Sequence, residues 1–404
     1  MKHIPTLRPA LVAASRRLTS AVLMAGVAAF AVPALAQEDR IDVMVAVDPS
    51  DASVAVPTAE VSRRLSAAVG KPVRVIMASG LKDAMRASRT SENQVLIAPA
   101  HVAASAISHG YKLAGLSGAN RTFVLVSQPD IASVQALEGK RLYLPQQDSL
   151  RSYIARGMLD QARMSLKDLG KVEFQNTRGA GLNALGLGAT DATVAESSET
   201  EKWLAANPGK GRVLLTSRET PAGLAVLSHK NVAAELQTKI ARWATAPEGV
   251  LPGQPALAAA SADGEQKLVY LASLGIHTPD ALDGVTRVSA EDVAKLIAGN
   301  EKPALVDTRS AQEFNNETIQ GAISAPYGEK SLKERDYDAK LDDLSAIGKL
   351  DKSKPTVFFC NGPECWKSYK AAEQAKKMGF AKVYWLRSGM PEWRAKNLPV
   401  RKQG

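Results

Sequence analysis

The chain has 404 residues, of which 45% are hydrophobic and 23% charged, and a formal net charge of +10. That length exceeds one ordinary domain and suits two, and the composition is that of a globular chain, not a disordered or fibrous one. Basic residues are spread along the sequence and aromatics are only 5%, which argues against a nucleic-acid surface.

Residues 1–36 stand apart. Lys2, Arg8, Arg16 and Arg17, with no acid among them, precede an apolar run from Ala21 to Val32 and an Ala34-Leu35-Ala36 end, the pattern of a cleaved secretory signal. The run is too short to span a bilayer, which takes about twenty apolar residues, so no membrane insertion is expected once the signal is removed. Ser15-Arg16-Arg17-Leu18 matches a twin-arginine signal only in part, so Sec export to the periplasm is the expectation. Losing those four basic residues lowers the formal charge from +10 to +6, a mild field suited to a small anion. Export also puts the two cysteines, Cys360 and Cys365, in an oxidising compartment. A disulfide is then the default unless something keeps them reduced, although so tight a loop could forbid the bridge on geometric grounds. His3, His101, His109, His229 and His277 are scattered without ligand spacing, so neither a metal nor a cofactor is expected.

From Ile41 strand-like and helix-like pieces alternate. Ile41–Val47, Val73–Met77 and Val95–Ala98 read as strands, and Thr58–Val69, Leu81–Arg89 and His101–His109 as helices. Strands are expected again at Thr122–Val126, Arg141–Leu144, Lys171–Phe174, Arg212–Thr216 and Gly223–Leu227, with helices at Ser149–Gln161, Gly181–Gly188, Asn231–Trp243 and Glu265–Leu274. This rhythm predicts an α/β domain with a mostly parallel sheet over residues 38–280. Gly275–Val285 is the expected joint. A second α/β domain follows at 284–404, in which Ser289 and Asp292 open a helix and Lys302–Asp307 is a strand. Lys330–Leu350, charged and irregular, is expected to be a surface excursion. Thr356–Phe359 is then a short buried strand, Asn361-Gly362-Pro363 breaks it, and Trp366–Met378 is a helix. Cys360 therefore sits where a strand ends and a helix is about to begin. Unpaired backbone N–H groups and the positive end of the helix dipole favour an anion there, and such loops lower a thiol's pKa from about 8.5.

The first domain resembles periplasmic solute-binding proteins of the phosphate, phosphite and phosphonate class. The carrying residues are Leu137-Glu-Gly-Lys-Arg-Leu-Tyr143, Asp148-Ser-Leu-Arg-Ser152, Gly188-Ala-Thr-Asp-Ala-Thr-Val-Ala-Glu196 and Leu214-Leu-Thr-Ser-Arg-Glu-Thr-Pro221. The resemblance implies a two-lobed, type-2 periplasmic-binding-protein-like fold, with the chain crossing between lobes near Asn120 and again at Thr216–Pro221. It also implies a small anionic ligand and an ABC permease as partner. Ser149 and Ser152 would hold the anion at a helix start, Glu196 would meet a ligand amine, and His101 would line the cleft. Read from the residues alone, Asp148 or Ser149 is also an ordinary helix cap, Arg151 a solvated helix residue and Glu196 a surface carboxylate.

The second domain resembles the rhodanese family of sulfurtransferases, on Leu305-Val-Asp307-Thr-Arg309-Ser-Ala-Gln-Glu-Phe314, Ile319-Gln-Gly-Ala-Ile323, the strand, Cys360 and helix order, and Gly389-Met-Pro-Glu-Trp393. This implies a parallel-sheet α/β fold in which Asp307 and Arg309 brace an active loop. It also implies that Cys360 accepts a sulfane sulfur as a persulfide, within the loop of Asn361, Gly362, Pro363, Glu364 and Trp366. The sequence departs from the family pattern in four ways: Cys360 lies two residues further upstream, Lys367 fills the slot of an Arg, Glu364 adds a negative charge expected to oppose a dianionic donor, and Cys365 is a second thiol. The expected function is an exported sulfurtransferase coupled to an anion-binding domain, with a sulfur donor, a sulfur acceptor or a periplasmic redox protein as partners. Two alternatives stay open: a non-enzymatic receptor with a degenerate second module, and a thiol-disulfide oxidoreductase using Cys360 and Cys365.

Overall fold

The structure is a computed structural model that describes residues 40–49, 56–175, 177, 179–252 and 254–402; the predicted signal segment lies outside the described residues. β1 (Ile41–Val45), α1 (Thr58–Val69), β2 (Val73–Met77), α2 (Leu81–Ala87), β3 (Val95–Pro99), α3 (Ala100–Ser108) and β4 (Tyr111–Leu116) begin a first lobe. β5 (Asn120–Arg121) leads into the second lobe: β6 (Phe123–Ser127), β7 (Arg141–Leu144), α4 (Leu150–Gln161), β8 (Lys171–Phe174), α5 (Ala180–Gly186), β9 (Ala192–Glu196), α6 (Ser197–Ala206) and β10 (Arg212–Thr216). β11 (Thr220–Pro221) brings the chain back, and β12 (Leu224–His229), α7 (Ala234–Ala244), β13 (Ala258–Ala259) and α8 (Ala262–Ser273) complete the first lobe.

The first sheet has the order β13-β4-β12-β3-β1-β2 and the second β10-β6-β9-β7-β8. Between them β5 and β11 pair antiparallel, Asn120 opposite Pro221 and Arg121 opposite Thr220, so the chain passes between lobes twice along one short ribbon. The predicted mostly parallel sheet is mixed in each lobe. β1 lies parallel to β2 and β3, but β12, which arrives from the other lobe, runs antiparallel to β3 and β4. A returning chain enters the sheet from the opposite end, and antiparallel pairing is the result. Tyr111–Leu116 and Ser197–Ala206 had no clear signal in the sequence. Ala114 and Gly115 dilute the strand character of the first, which pairing with β12 and β13 supplies. The second is a largely polar helix whose Thr200 alone is buried.

The C-terminal part holds β14 (Thr286–Arg287), α9 (Ala290–Ala298), β15 (Ala304–Asp307), α10 (Ala311–Asn316), β16 (Glu317–Ile319), β17 (Ile323–Ser324), α11 (Ser345–Gly348), β18 (Thr356–Phe359), α12 (Trp366–Lys377), β19 (Val383–Leu386), α13 (Gly389–Ala395) and β20 (Val400–Lys402). Its main sheet, β14-β19-β18-β15-β17, is parallel throughout. β18 is central and all four of its residues are buried, as a strand covered on both faces requires. α9 opens with the capping box expected of Ser289 and Asp292, which satisfies two of the N–H groups a helix start leaves unpaired.

One apolar cluster runs without a break from the first lobe into the parallel-sheet domain. It takes in Leu81, Ala84 and Met85 of α2, Tyr153 of α4, Ile276 of the joint, and Phe358, Trp366 and Tyr369 around β18 and α12. Polar groups rim it. Lys333 pairs with Asp148, Glu334 with Arg156 at 3.0 Å and Lys167 with Asp336 at 2.7 Å. These contacts correct the reading of Lys330–Leu350 as a surface excursion, because the segment is a strap against the second lobe and buries Ser331 and Ile347. Its charges are irregular in sequence because their partners lie in another part of the chain. Among the described residues no helix is long and apolar enough to cross a membrane.

Candidate functional site

Cys360 follows the central strand β18, and Cys365 is the residue before α12. Three devices fix the loop between them. From below, Thr308 donates through both its N–H (3.1 Å) and its hydroxyl (2.9 Å) to the Phe359 carbonyl. From the side, Met390 N–H donates to the Cys360 carbonyl at 2.9 Å. Within the loop, Cys365 N–H closes a turn on the Gly362 carbonyl at 3.0 Å, where Gly362 takes a left-handed φ of 98°. The N–H groups of Asn361, Gly362 and Glu364 make no hydrogen bond among the described residues.

The Asp307 and Arg309 pair is buried beneath this loop. Arg309 donates to both carboxylate oxygens of Asp307, the shortest at 2.7 Å, and reaches Asn361 Oδ1 at 3.4 Å. Asn361 in turn donates to Glu313, whose other oxygen accepts from Ser310 N–H and hydroxyl at 3.1 and 2.8 Å. The capping box of α10 thus doubles as a support for the cysteine loop. Burial works against the Glu313 charge, but the Ser310 hydrogen bonds, then Arg309 and Arg86, hold its carboxyl below the usual range.

The two sulfurs are joined in a disulfide across five positions, with Cα atoms 6.2 Å apart. That spacing lies inside the ordinary 4.4–6.8 Å window, so the small loop does not forbid the bridge. Cys360 is 1% exposed and Cys365 8%. They are not sealed in apolar packing, because both line a cavity of about 290 Å³. Six basic side chains, Lys367 of α12 among them, and four acidic ones share its lining, together with Asn361 and Trp366. The far wall is Ser79 to Arg89 of the first lobe. Burial pulls the Lys367 ammonium below its usual range; Glu313 opposes that and Lys82 adds to it. Trp366 closes the loop's other side, donating through Nε1 to the Ile276 carbonyl at 3.0 Å, and Pro363 accepts from Thr278 N–H and hydroxyl at 2.8 and 3.0 Å.

Glu364 behaves differently from the sequence expectation. It does not project a free charge at the sulfur. Arg89 donates to its Oε2 at 3.2 Å and Ser105 at 2.9 Å, and His277 stands 3.8 Å from its other oxygen. Burial disfavours its charge, but Arg89, then His109 and Ser105, hold the carboxyl below the usual range. The partners of this loop acid come from the first lobe and the joint, which a local reading of the loop could not find.

The predicted ligand residues of the first domain are held by internal contacts. Ser149 caps α4, accepting from Ser152 N–H at 3.2 Å and donating to the Gln146 carbonyl at 2.8 Å, and Ser152 also donates to that carbonyl. Both serines are fully buried. His101 is buried as well, with Nε2 against the Asp148 carbonyl at 2.8 Å and its ring 5.3 Å from Tyr153. Burial lowers its pKa, with Asp48 opposing. Glu196 pairs with Arg121 at 3.4 Å and accepts from Ser198 at 2.8 Å. So the structure brings His101, Asp148 and Ser149 together at the start of α4 and leaves Glu196 with the crossing ribbon. Asp48, which sequence reasoning missed, is also buried and accepts from Leu150 N–H at 3.4 Å. A cavity of about 120 Å³ beside the crossing is lined by Asp48, Arg121, Ser117 and Leu251 among others, but by none of the four predicted residues. No group of three or more His, Cys, Asp or Glu among the described residues is arranged to hold a metal ion.

A two-lobed binding-protein fold is thus followed by a rhodanese-like parallel-sheet domain carrying a cysteine loop. Residues 44–265, more than half of the chain, match the family described as the periplasmic substrate-binding protein of phosphonate ABC transporters, and the chain belongs to that family. Residues 289–396 match the rhodanese-like domain. Among curated proteins, the chain is 24% identical over 135 residues to the putative sulfur carrier protein YrkF of Bacillus subtilis, covering 33% of this chain and 65% of that one. It is 30% identical over 104 residues to an uncharacterized protein of Buchnera aphidicola, covering 26% and 62%. The chain thus spans less than two thirds of the length of either relative. Among solved structures, PhnD1 from Prochlorococcus marinus in complex with methylphosphonate aligns over 58% of this chain and 97% of its own, at 12% identity and a TM-score of 0.42.

Proposed function

We propose that the protein is an exported sulfurtransferase in which Cys360 carries a sulfane sulfur as a persulfide, coupled to a domain of the anion-binding class. The observation that carries this reading is the position of Cys360. It lies at the end of the central parallel strand, beside unpaired loop N–H groups and a cavity with more basic than acidic side chains. The bridge to Cys365 must first be opened by an external dithiol, which supplies two electrons and is itself oxidised to a disulfide. The Cys360 thiolate then attacks the outer sulfur of a thiosulfonate-type donor. An S–S bond forms at Cys360 as the donor S–S bond breaks, and the sulfite or sulfinate leaves with the electron pair. The loop N–H groups, with Lys367, hold the anionic persulfide. A nucleophilic acceptor takes the outer sulfur and returns Cys360 to the thiolate. Alternatively, Cys365 attacks Cys360 Sγ, which expels hydrosulfide and restores the disulfide. Arg309, Asp307 and Asn361 position the loop. For the first domain, a small oxyanion is the proposed ligand class and an ABC permease the proposed partner.

Sulfur transfer from thiosulfate to a thiol acceptor, measured after reduction, tests this reading. Cys360→Ser is expected to abolish transfer, whereas Cys365→Ser keeps a single-thiol cycle running. An unchanged rate in Cys360→Ser sinks the reading. A second reading, a receptor with a catalytically silent second module, draws on the disulfide and the 1% exposure of Cys360. It predicts that the bridge resists physiological dithiols and that no persulfide forms on the reduced chain.

A further inference from the structure

The cavity at the cysteine loop has walls from two domains, and the basic groups on the first-lobe wall have unequal duties. Arg86 is engaged by Asp83 at 3.0 Å and by Glu92 at 2.8 Å. Arg89 is only 8% exposed, donates to Glu364, and leaves its buried Nε without a hydrogen-bond partner among the described residues. On the acidic side, Glu313 is held by Ser310 and Asn361, Glu329 pairs with Lys370 at 2.9 Å, and Glu364 is held by Arg89 and Ser105. Two ammonium groups are left over. Lys367 makes no hydrogen bond or ion pair among the described residues, and Lys82 has one long contact, to the Glu329 carbonyl at 3.4 Å. They line one cavity from two different domains. Lys82 is exposed to solvent at the cavity's edge while Lys367 is half-buried within it, so two cations whose neighbouring acids are already paired face a space that an anion can enter from solvent.

We propose that the first lobe completes the sulfur-donor site: Lys82 joins Lys367 in holding the anionic donor, and Arg89 is a positioning residue that draws the Glu364 charge away from it. This rests on the sulfurtransferase reading of Cys360. The cavity, about 290 Å³, takes a tetrahedral sulfur oxyanion with several waters, each of which occupies about 30 Å³ in the liquid. Without the first lobe the loop would offer one ammonium, Lys367, against an uncompensated Glu364. The substrate-binding fold would then serve the enzyme as a wall of its active site, whatever its own cleft binds.

Calorimetric titration of sodium thiosulfate into Cys360→Ser protein at low ionic strength reads donor binding without turnover. Adding Lys82→Ala is expected to weaken binding about tenfold, the loss of one charge-assisted contact, and Lys82→Arg to restore most of it. In transfer assays on the otherwise native chain, Lys82→Ala raises KM and largely preserves kcat. Arg89→Ala weakens thiosulfate binding as well, and Arg89→Ala with Glu364→Gln recovers it, because the charge that Arg89 compensates is gone. Thiosulfate binding that is undetectable in the parent, or unaffected by Lys82→Ala, overturns the composite site. A double variant no better than Arg89→Ala overturns the positioning role. Failure of the sulfurtransferase reading looks different: binding that depends on Lys82 persists, but transfer is absent or insensitive to Cys360→Ser.

Discussion

Gly389 shows how narrowly the cysteine loop is held. Its φ is 55°, and a Cβ there would collide with the Cys360 carbonyl, the same oxygen that accepts Met390 N–H. Gly389→Ala must therefore displace the backbone under the nucleophile. We expect about 3 kcal/mol of destabilisation, from overpacking and a left-handed Ala together, and loss of sulfur transfer. Gly362 also has a positive φ, but a Cβ there meets nothing nearer than 3.6 Å, so Gly362→Ala should cost only about 1 kcal/mol. Urea denaturation of the two variants compares them. Glu364 gives a pH signature. Its folded pKa lies below the unfolded value of about 4.3, so its share of stability is complete above that pH and is lost as pH falls through the folded value. The melting temperature of the parent should therefore drop on acidification below about pH 4.3 more steeply than that of Glu364→Gln.

At the scale of elements, α12 does two jobs. Its first turn borders the cavity, and two turns of its body are buried. Lys370 lies in that body with its side chain fully buried, donating to Ser331 Oγ at 2.8 Å and ion-paired with Glu329 at 2.9 Å. Burial depresses its pKa and Glu329 opposes this. Lys370→Met fits the space but strands Glu329, and removing one partner of a buried pair typically costs about 3–5 kcal/mol. Guanidinium unfolding should show a loss of that order, and Lys370→Met with Glu329→Gln should recover part of it. The same helix shows what a sequence yields at this scale. The order of strand, cysteine and helix was legible from Thr356–Phe359 and Ala371, Ala372 and Ala375, because hydrogen bonding and burial period are local properties. The partners of Lys370 were not, because the strap that supplies them reads as an irregular charged stretch.

For the whole molecule, the shared apolar cluster and the buried pair Arg156–Glu334 imply that the binding-protein fold and the rhodanese-like domain unfold together. Domains with small polar interfaces move independently by default, and this interface has an apolar core shared by both domains. Calorimetry should show one transition, and Glu334→Ala should lower its midpoint by leaving Arg156 buried and unpaired. Arg156→Met with Glu334→Leu should restore it. Two separate transitions in the parent would contradict the shared core.

The sequence by itself determined the α/β class, the motifs that carry the two resemblances and the cysteine at a strand end, all of which depend on residues near one another in the chain; the chain crossings near Asn120 and Pro221 were expected only through the first resemblance. Tertiary structure alone decided that Glu364 is neutralised by Arg89, which lies 275 positions away, and that Lys333 and Glu334 strap the domains together. It alone decided that Asp48 meets the start of α4. A side chain's charge is written in the sequence, but what compensates that charge depends on which distant surface folding brings against it.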